Sequence, residues 1–265
     1  SVSYQSLGAW RSAKETMEKA ERIIGKYGSK PERIDALRQL ASLQAETEEL
    51  DTALTTYTKI FELLEPWNFE VLARVRVSQL KILVRKYENG HASIGQEIKR
   101  IQAHLDEINS STLKQTLLIE AAAALLRLND VVYFKVEIEG FLVSGLTIAK
   151  ASNDEVGMSY SYGHLGKLSE KKGEMLDALE FSRRALVALG HFEQPGVAYL
   201  WQWQIGRIYS RLGDIDAAIT NYERALDSIA TIRSELLLGG SNTFRDRLLP
   251  VYQELIDILF QTAQR

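Results

Sequence analysis

Basic residues recur at a fixed interval and form the strongest chemical pattern in the sequence. Arg127, Lys167 and Arg207 follow one another at intervals of 40 residues, and Arg247 continues the series. Guanidinium and ammonium groups bind carboxylates through charge-assisted hydrogen bonds. A row of such groups predicts a basic ladder that would bind an acidic or extended peptide segment.

Aromatic, amide and further basic residues accompany this ladder and would add contact area to a peptide-binding groove. The candidate groove residues are Arg127, Tyr160, His164, Lys167, Lys171, Trp203, Gln204, Arg207 and Arg211. In the alternative interpretation, the cations pair with carboxylates such as Glu120 and Glu170 or are simply solvated. Trp201 and Trp203 are two residues apart and must face nearly opposite ways on a helix, so we expect Trp201 in the core and Trp203 exposed.

Residues that could support catalysis are sparse. The chain has no cysteine, which excludes disulfides, thiolate metal sites and a cysteine nucleophile. The histidines lie far apart without a metal-ligand spacing, at positions 91, 104, 164 and 191. No phosphate loop, dinucleotide fingerprint or nucleophile elbow occurs. We expect no enzyme, with no catalytic residue, cofactor or metal; an active site assembled across helices is the less favoured alternative.

Composition narrows the class of protein further. Of 265 residues, 45% are hydrophobic, which suffices for a buried core, and the net charge of -3 argues against general nucleic-acid binding. The first residues do not form a signal peptide, and no apolar run approaches the roughly 18 to 20 residues that a bilayer requires. We therefore expect a cytoplasmic protein that binds neither nucleic acid nor membrane.

Apolar residues recur at spacings of three and four throughout, which is typical of amphipathic helices. Glycine, proline and capping residues break the pattern into about twelve helices within one solenoid, residues 1–265. The expected helical units are 1–28, 31–66, 67–109, 111–151, 153–190 and 193–237, followed by a capping helix 241–264. Ser241 or Asn242 would cap that last helix, and Pro250 would kink it or lie in its first turn. The β-branched run at 131–138 is also expected to be helical.

Small and aromatic residues repeat within this helical pattern. The most complete set is Gly206, Tyr209, Gly213, Ala218, Tyr222 and Ala225; the set 40 residues earlier is Gly166, Gly173, Ala178 and Ala185. Helices approach closely only where a small residue faces the partner helix. The motif resembles the tetratricopeptide repeat, and the resemblance implies an all-α fold, a right-handed α-α superhelix of antiparallel helices.

Two runs in the last third carry a closer resemblance. Residues 199–207 and 244–259 are similar to the repeats that precede the protease-like domain of bacterial, especially cyanobacterial, CHAT proteins (caspase-like domains associated with tetratricopeptide repeats). The similarity covers about residues 159–262. It implies a recognition or regulatory region whose partner domain would carry a His–Cys dyad. Because this chain has no cysteine, no catalytic residue is carried over and that domain is expected to be missing here.

We therefore expect a non-catalytic scaffold that binds a protein or peptide in its concave groove and regulates a C-terminal protease-like domain in a longer protein. A bacterial sensor that binds a short signalling peptide is the alternative.

Overall fold

The computed structural model describes residues 4–87, 91–190, 194–238 and 248–263, which form helices joined by short turns. The chain divides into two compact units, unit 1 with residues 1–133 and unit 2 with residues 134–265. The single solenoid and its repeat boundaries stay predictions.

Unit 1 is built from six helices in its described residues. They are α1 (Tyr4–Tyr27), α2 (Lys30–Glu46), α3 (Leu50–Leu63), α4 (Phe69–Lys86), α5 (His91–Asp106) and α6 (Ser111–Leu125). Helices α1 to α5 each contact their neighbours within that series, and α6 contacts α4.

Unit 2 contains six further helices in its described residues. They are α7 (Lys135–Ser152), α8 (Glu155–Lys172), α9 (Met175–Ala188), α10 (Pro195–Leu212), α11 (Ile215–Leu238) and α12 (Leu249–Ala263). Consecutive helices pack together, and α8 also contacts α10. The predicted all-α class is confirmed. Among the helices described, none combines the length and apolarity needed to cross a bilayer.

Local chemistry sets the helix ends. Ser29 and Glu32 form a capping box before α2, and the Asp154 carboxylate accepts the backbone N–H of the third residue of α8. Gly173 and Gly213 end α8 and α10 with φ of 81° and 84°. This left-handed conformation costs glycine little, and the predicted turns are confirmed.

The β-branched run at 131–138 is only partly α-helical. A short 3-10 helix spans Val132–Phe134, and α7 begins at Lys135. The Asp130 carboxylate accepts the backbone N–H of Val132 at 3.0 Å. This local hydrogen bond supports a turn, so the expectation of a continuous helix was wrong for its first residues.

Close helix contacts occur at the predicted small positions of unit 2. A Cβ atom added to Gly206 would lie 2.8 Å from the ring of Tyr222 on α11. One repeat earlier, a Cβ atom on Gly166 would lie 2.8 Å from both the Ser182 hydroxyl and the Gln204 amide. A serine and a buried glutamine thus fill the space that an aromatic ring fills in the next repeat.

A third close contact, at Gly163, was not predicted. The indole of Trp201 lies against this glycine, and an added Cβ atom would come within 2.4 Å of the ring. Trp201 is 3% exposed and donates its Nε1–H to the Ser159 hydroxyl at 2.9 Å. The expected core position of Trp201 is confirmed.

Helix α12 packs on the rest of unit 2 through an apolar stripe. Three buried residues of α12 join the core cluster of α10 and α11, namely Val251, Leu255 and Ile258. Leu248, which directly precedes α12, belongs to the same cluster. Leu259, which neighbours Ile258, is 47% exposed. Pro250 is the second residue of α12, so the first-turn prediction is confirmed. Residues 241–247, with the expected caps and Arg247, lie outside the described part of the chain.

Gly163→Ala should destabilise unit 2 by about 1–3 kcal/mol, because the added methyl group overlaps a tryptophan that the core holds in place. Urea unfolding followed by circular dichroism measures the change. Gly140→Ala is the matched control, because an added Cβ atom on this exposed residue of α7 meets nothing within 4 Å. That control should gain up to about 1 kcal/mol from helix propensity. Equal stability of the two variants would contradict the packing described.

Candidate functional site

Eight of the nine candidate groove residues lie on two neighbouring helices of unit 2. Tyr160, His164, Lys167 and Lys171 form one stripe along α8, because their spacings are three or four residues. Trp203, Gln204, Arg207 and Arg211 lie on α10. Seven of these residues, all except Gln204, form a surface that we call the α8–α10 face.

A buried carboxylate joins the two helices. Glu170 on α8 is 6% exposed and accepts two hydrogen bonds from the Arg207 guanidinium, from Nε at 3.0 Å and from Nη2 at 3.2 Å. Nη1 of Arg211 lies 3.1 Å from the same carboxylate. The alternative interpretation of the ladder, pairing with a neighbouring carboxylate, thus holds for both arginines.

Arg207 is the centre of this arrangement. Its guanidinium lies over the Trp203 ring, 4.7 Å from the centroid, as in a cation–π contact. Burial disfavours charge on this group, but the hydrogen bonds and attraction to Glu170, with a further contribution from Glu254, raise its pKa above the ordinary value. Arg207 is therefore a fixed cation with a structural role on the face.

A second carboxylate reaches the face from α12. Glu254 accepts a hydrogen bond from Trp203 Nε1 at 2.7 Å and another from the Tyr222 hydroxyl at 2.8 Å. Burial and the nearby Glu254 charge raise the pKa of Tyr222 well above its usual range. Trp203 is half-buried under these contacts, less exposed than predicted.

An aromatic cluster with one histidine occupies the other end of the face. The rings of Tyr160 and His164 are stacked at 6.1 Å, and each meets the edge of Trp201, at 5.9 Å and 5.5 Å. Nδ1 of His164 is buried and has no hydrogen-bond partner among the described residues. Burial, with a smaller effect of the Lys167 charge, lowers the pKa of His164 to about 3.

Gln204 does not belong to a groove, so this assignment from the sequence was wrong. The residue is 2% exposed. Its amide donates to the Gly163 carbonyl at 3.0 Å and to the Ser182 hydroxyl at 2.9 Å. The side chain is directed between α8, α9 and α10 because the small residues there leave a polar space to fill.

The remaining cations differ in exposure. Lys167 is half-buried, whereas Lys171 is exposed, and both make interactions within the protein. Arg211 keeps 51% of its side chain exposed while one nitrogen contacts Glu170. Arg127 follows α6 in unit 1, so its place in a ladder with Lys167 stays a prediction.

Sequence reasoning missed two polar residues: Glu254, which belongs to this site, and Ser182, the buried partner of Gln204 in the core. Glu254 lies outside the 40-residue interval, and its position depends on how α12 docks. Ser182 aligns with Tyr222 in the repeat pattern, and this substitution was the available signal for a polar contact.

The described residues do not assemble a metal site. No group of three or more histidine or acidic side chains there could hold a metal ion. His191 and the side chain of His91 lie outside the described part.

The low pKa of His164 should make stability pH-dependent. An unfolded histidine has a pKa near 6.5, so it binds protons that the folded residue does not bind until about pH 3. The stability that depends on neutral His164 is fully present above pH 6.5 and decreases as the pH falls towards 3. Between pH 7 and pH 5.5 the wild type should lose about 1 kcal/mol from this group.

Urea unfolding of the wild type and of His164→Phe at both pH values isolates this contribution, because phenylalanine keeps the ring packing and does not titrate. The variant should lose less stability than the wild type by that amount. The same pH dependence in both proteins would show that His164 is not buried in its neutral form.

Comparison with known protein families finds one repeat motif in this chain. Residues 202–231 match the model of the tetratricopeptide repeat. The match covers the second half of α10 and most of α11, including Gly206 and Tyr222. Among curated proteins, none matches this chain significantly.

Solved structures give the same indication. BtubC (BKLC) from P. vanneervenii is 16% identical, with 84% of this chain and 91% of that chain covered and a TM-score of 0.57. A Rap protein complexed with Competence and Sporulation Factor is 15% identical, with 94% and 78% covered and a TM-score of 0.56. At such identities the likeness concerns the fold alone. The chain therefore has a tetratricopeptide-like helical-repeat fold, and a tetratricopeptide repeat occupies residues 202–231.

Proposed function

We propose that this chain is a non-catalytic cytoplasmic module that binds an acidic or extended protein segment on the α8–α10 face. The observation that carries the proposal is the state of Arg211. One guanidinium nitrogen contacts Glu170, while half of the side chain is exposed. Glu170 thus orients a cation that still has hydrogen-bond donors to offer, which lowers the entropy lost on binding.

The charge on the face favours an acidic ligand. Lys167, Lys171, Arg207 and Arg211 are its cations, and Glu170 and Glu254 are the carboxylates that contact it. Positive groups therefore exceed negative groups by two. Carboxylates of a ligand would gain charge-assisted hydrogen bonds at the exposed cations.

The aromatic groups would supply contact area beside these charges. Trp203 is held in place by Arg207 and Glu254, and Tyr160 by His164 and Trp201. Rigid aromatic side chains lose little entropy when a ligand covers them, and they are frequent anchors in protein interfaces. An extended segment that follows the face would contact both ends of it.

The similarity of residues 159–262 to CHAT proteins supports a finer proposal. In a longer protein of that type, the face would be the recognition region, and its occupancy would regulate an attached protease-like domain. A sensor for a short signalling peptide is the second candidate, supported by the fold shared with the Rap protein complexed with Competence and Sporulation Factor.

Binding of a fluorescein-labelled (Glu-Ala)4 octapeptide, measured by fluorescence anisotropy, tests the proposal. The wild type should bind it more tightly than (Gln-Ala)4, because only the glutamates offer carboxylates. Lys171→Glu combined with Arg211→Glu should weaken binding about tenfold or more through lost hydrogen bonds and charge repulsion.

Arg184→Glu combined with Arg224→Glu is the matched control, because it changes the net charge equally at exposed positions of α9 and α11. This variant should bind within about twofold of the wild type, since neither residue belongs to the face. Equal binding of the two peptides, or equal loss in both variants, would contradict the proposal. A 24-residue version that binds much more tightly than the octapeptide would favour a protein segment over a short signalling peptide.

A further inference from the structure

A polar cleft in unit 1 lies outside the proposed function. It has a volume of about 380 Å³, within the range of about 300–1,000 Å³ that is typical of small-ligand sites. Helices α2, α3 and α4 line it together with Arg127, which follows α6. Its charged residues are Asp35, Arg38, Glu46, Lys81, Arg85 and Arg127.

Most of these charges are paired. Arg38 contacts Asp35 at 3.2 Å, and Arg85 contacts Glu46 at 3.9 Å. Two carboxylates that do not line the cleft also take part: Glu48 contacts Arg85 at 2.9 Å, and Glu120 contacts Lys81 at 2.8 Å. The carboxylates of these four contacts are all at least 43% exposed, and exposed ion pairs contribute only about 0–1 kcal/mol each. An anion in the cleft can therefore compete for the cations.

Arg127 is the exception among the cations of the cleft. Its side chain is exposed and makes no ion pair or hydrogen bond with any residue that the structure describes. Nevertheless, it lines the same cleft as Arg38 and Arg85. Three guanidinium groups thus adjoin one space, and one of them has all its donors available there.

Neutral hydroxyl groups complete the lining. Tyr57, which is 3% exposed, lines the cleft together with Ser42 and Ser78. Hydroxyl groups donate to anionic oxygens without adding charge. The cleft therefore offers cations on several walls and polar groups between them.

We propose that this cleft binds a phosphate-monoester dianion. A carboxylate carries one charge on two coplanar oxygens, whereas a phosphate monoester carries nearly two charges on three oxygens in a tetrahedral arrangement. The cations of the cleft lie on α2, on α4 and after α6. The three phosphate oxygens point in different directions and can therefore reach these cations better than the two coplanar oxygens of a carboxylate. With Glu48 and Glu120 included, carboxylates and cations are equal in number, and Arg127 is the one lining cation that no carboxylate of the described residues contacts.

The phosphate can belong to a small molecule or to a phosphorylated side chain of a protein. Isothermal titration calorimetry with free O-phosphoserine and with a phosphoserine-containing octapeptide separates these sources. Saturable binding of either probe supports the site. Equal affinities for O-phosphoserine and the phosphopeptide would indicate a small-molecule ligand. Tighter binding of the phosphopeptide would indicate a phosphorylated protein. Glutarate serves as the dicarboxylate comparison and should bind at least about fivefold more weakly than O-phosphoserine.

Arg127→Ala should weaken O-phosphoserine binding about tenfold, because it removes a charge-assisted pair of hydrogen bonds. The substitution removes no described contact, so the variant should fold normally. Arg74→Ala is the matched control: this exposed arginine lies on α4, does not line the cleft and should bind as the wild type does.

Three results would overturn the proposal: no saturable heat with either phosphate probe, equal affinities of the two arginine variants, or glutarate binding as tight as that of O-phosphoserine. Because the cleft and the probes differ from those of the α8–α10 face, failure here leaves the octapeptide experiment unaffected.

Discussion

The burial of Glu170 is the constraint on which the arrangement of the α8–α10 face depends. A carboxylate in the protein interior costs several kcal/mol unless it is paired and hydrogen-bonded. Glu170 meets this requirement through Arg207 and Arg211, which fixes α10 against α8. Arg207 then stacks on Trp203, and Trp203 and Tyr222 donate to Glu254. One polar network thus connects α8, α10, α11 and α12.

This network divides the cations of the face into two kinds. Arg207 is held by two hydrogen bonds and an aromatic ring, so it shapes the surface and cannot move to meet a ligand. Arg211 and Lys171 are more exposed and lie at the rim. A preorganised base with exposed charges around it suits specific binding, because less freedom is lost when the ligand arrives. In the proposed binding mode, the buried pair would contribute by positioning its neighbours.

The sequence predicted the helices and the small residues between them because both follow from local spacing. Gly206 and Gly166 pack as their repeat positions require, and Trp201 is buried as expected. The ion pairs were left open because Glu170 and Arg207 meet across 37 residues, and their contact depends on the rotation of both helices. Gln204 was misplaced because only the packed structure shows the polar space that it fills.

Glu170 and Arg207 should be strongly coupled within the folded protein. A double-mutant cycle with Glu170→Gln and Arg207→Gln measures this coupling free energy from urea unfolding. We expect about 2 kcal/mol or more, because Arg207→Gln leaves the buried Glu170 carboxylate with Arg211 alone and Glu170→Gln removes the charged acceptor of the Arg207 guanidinium. The same cycle on Glu180 and Arg184, an exposed pair on α9 with a distance of 2.8 Å, should give less than about 0.5 kcal/mol. A Glu170–Arg207 coupling as small as that of the exposed pair would contradict the account.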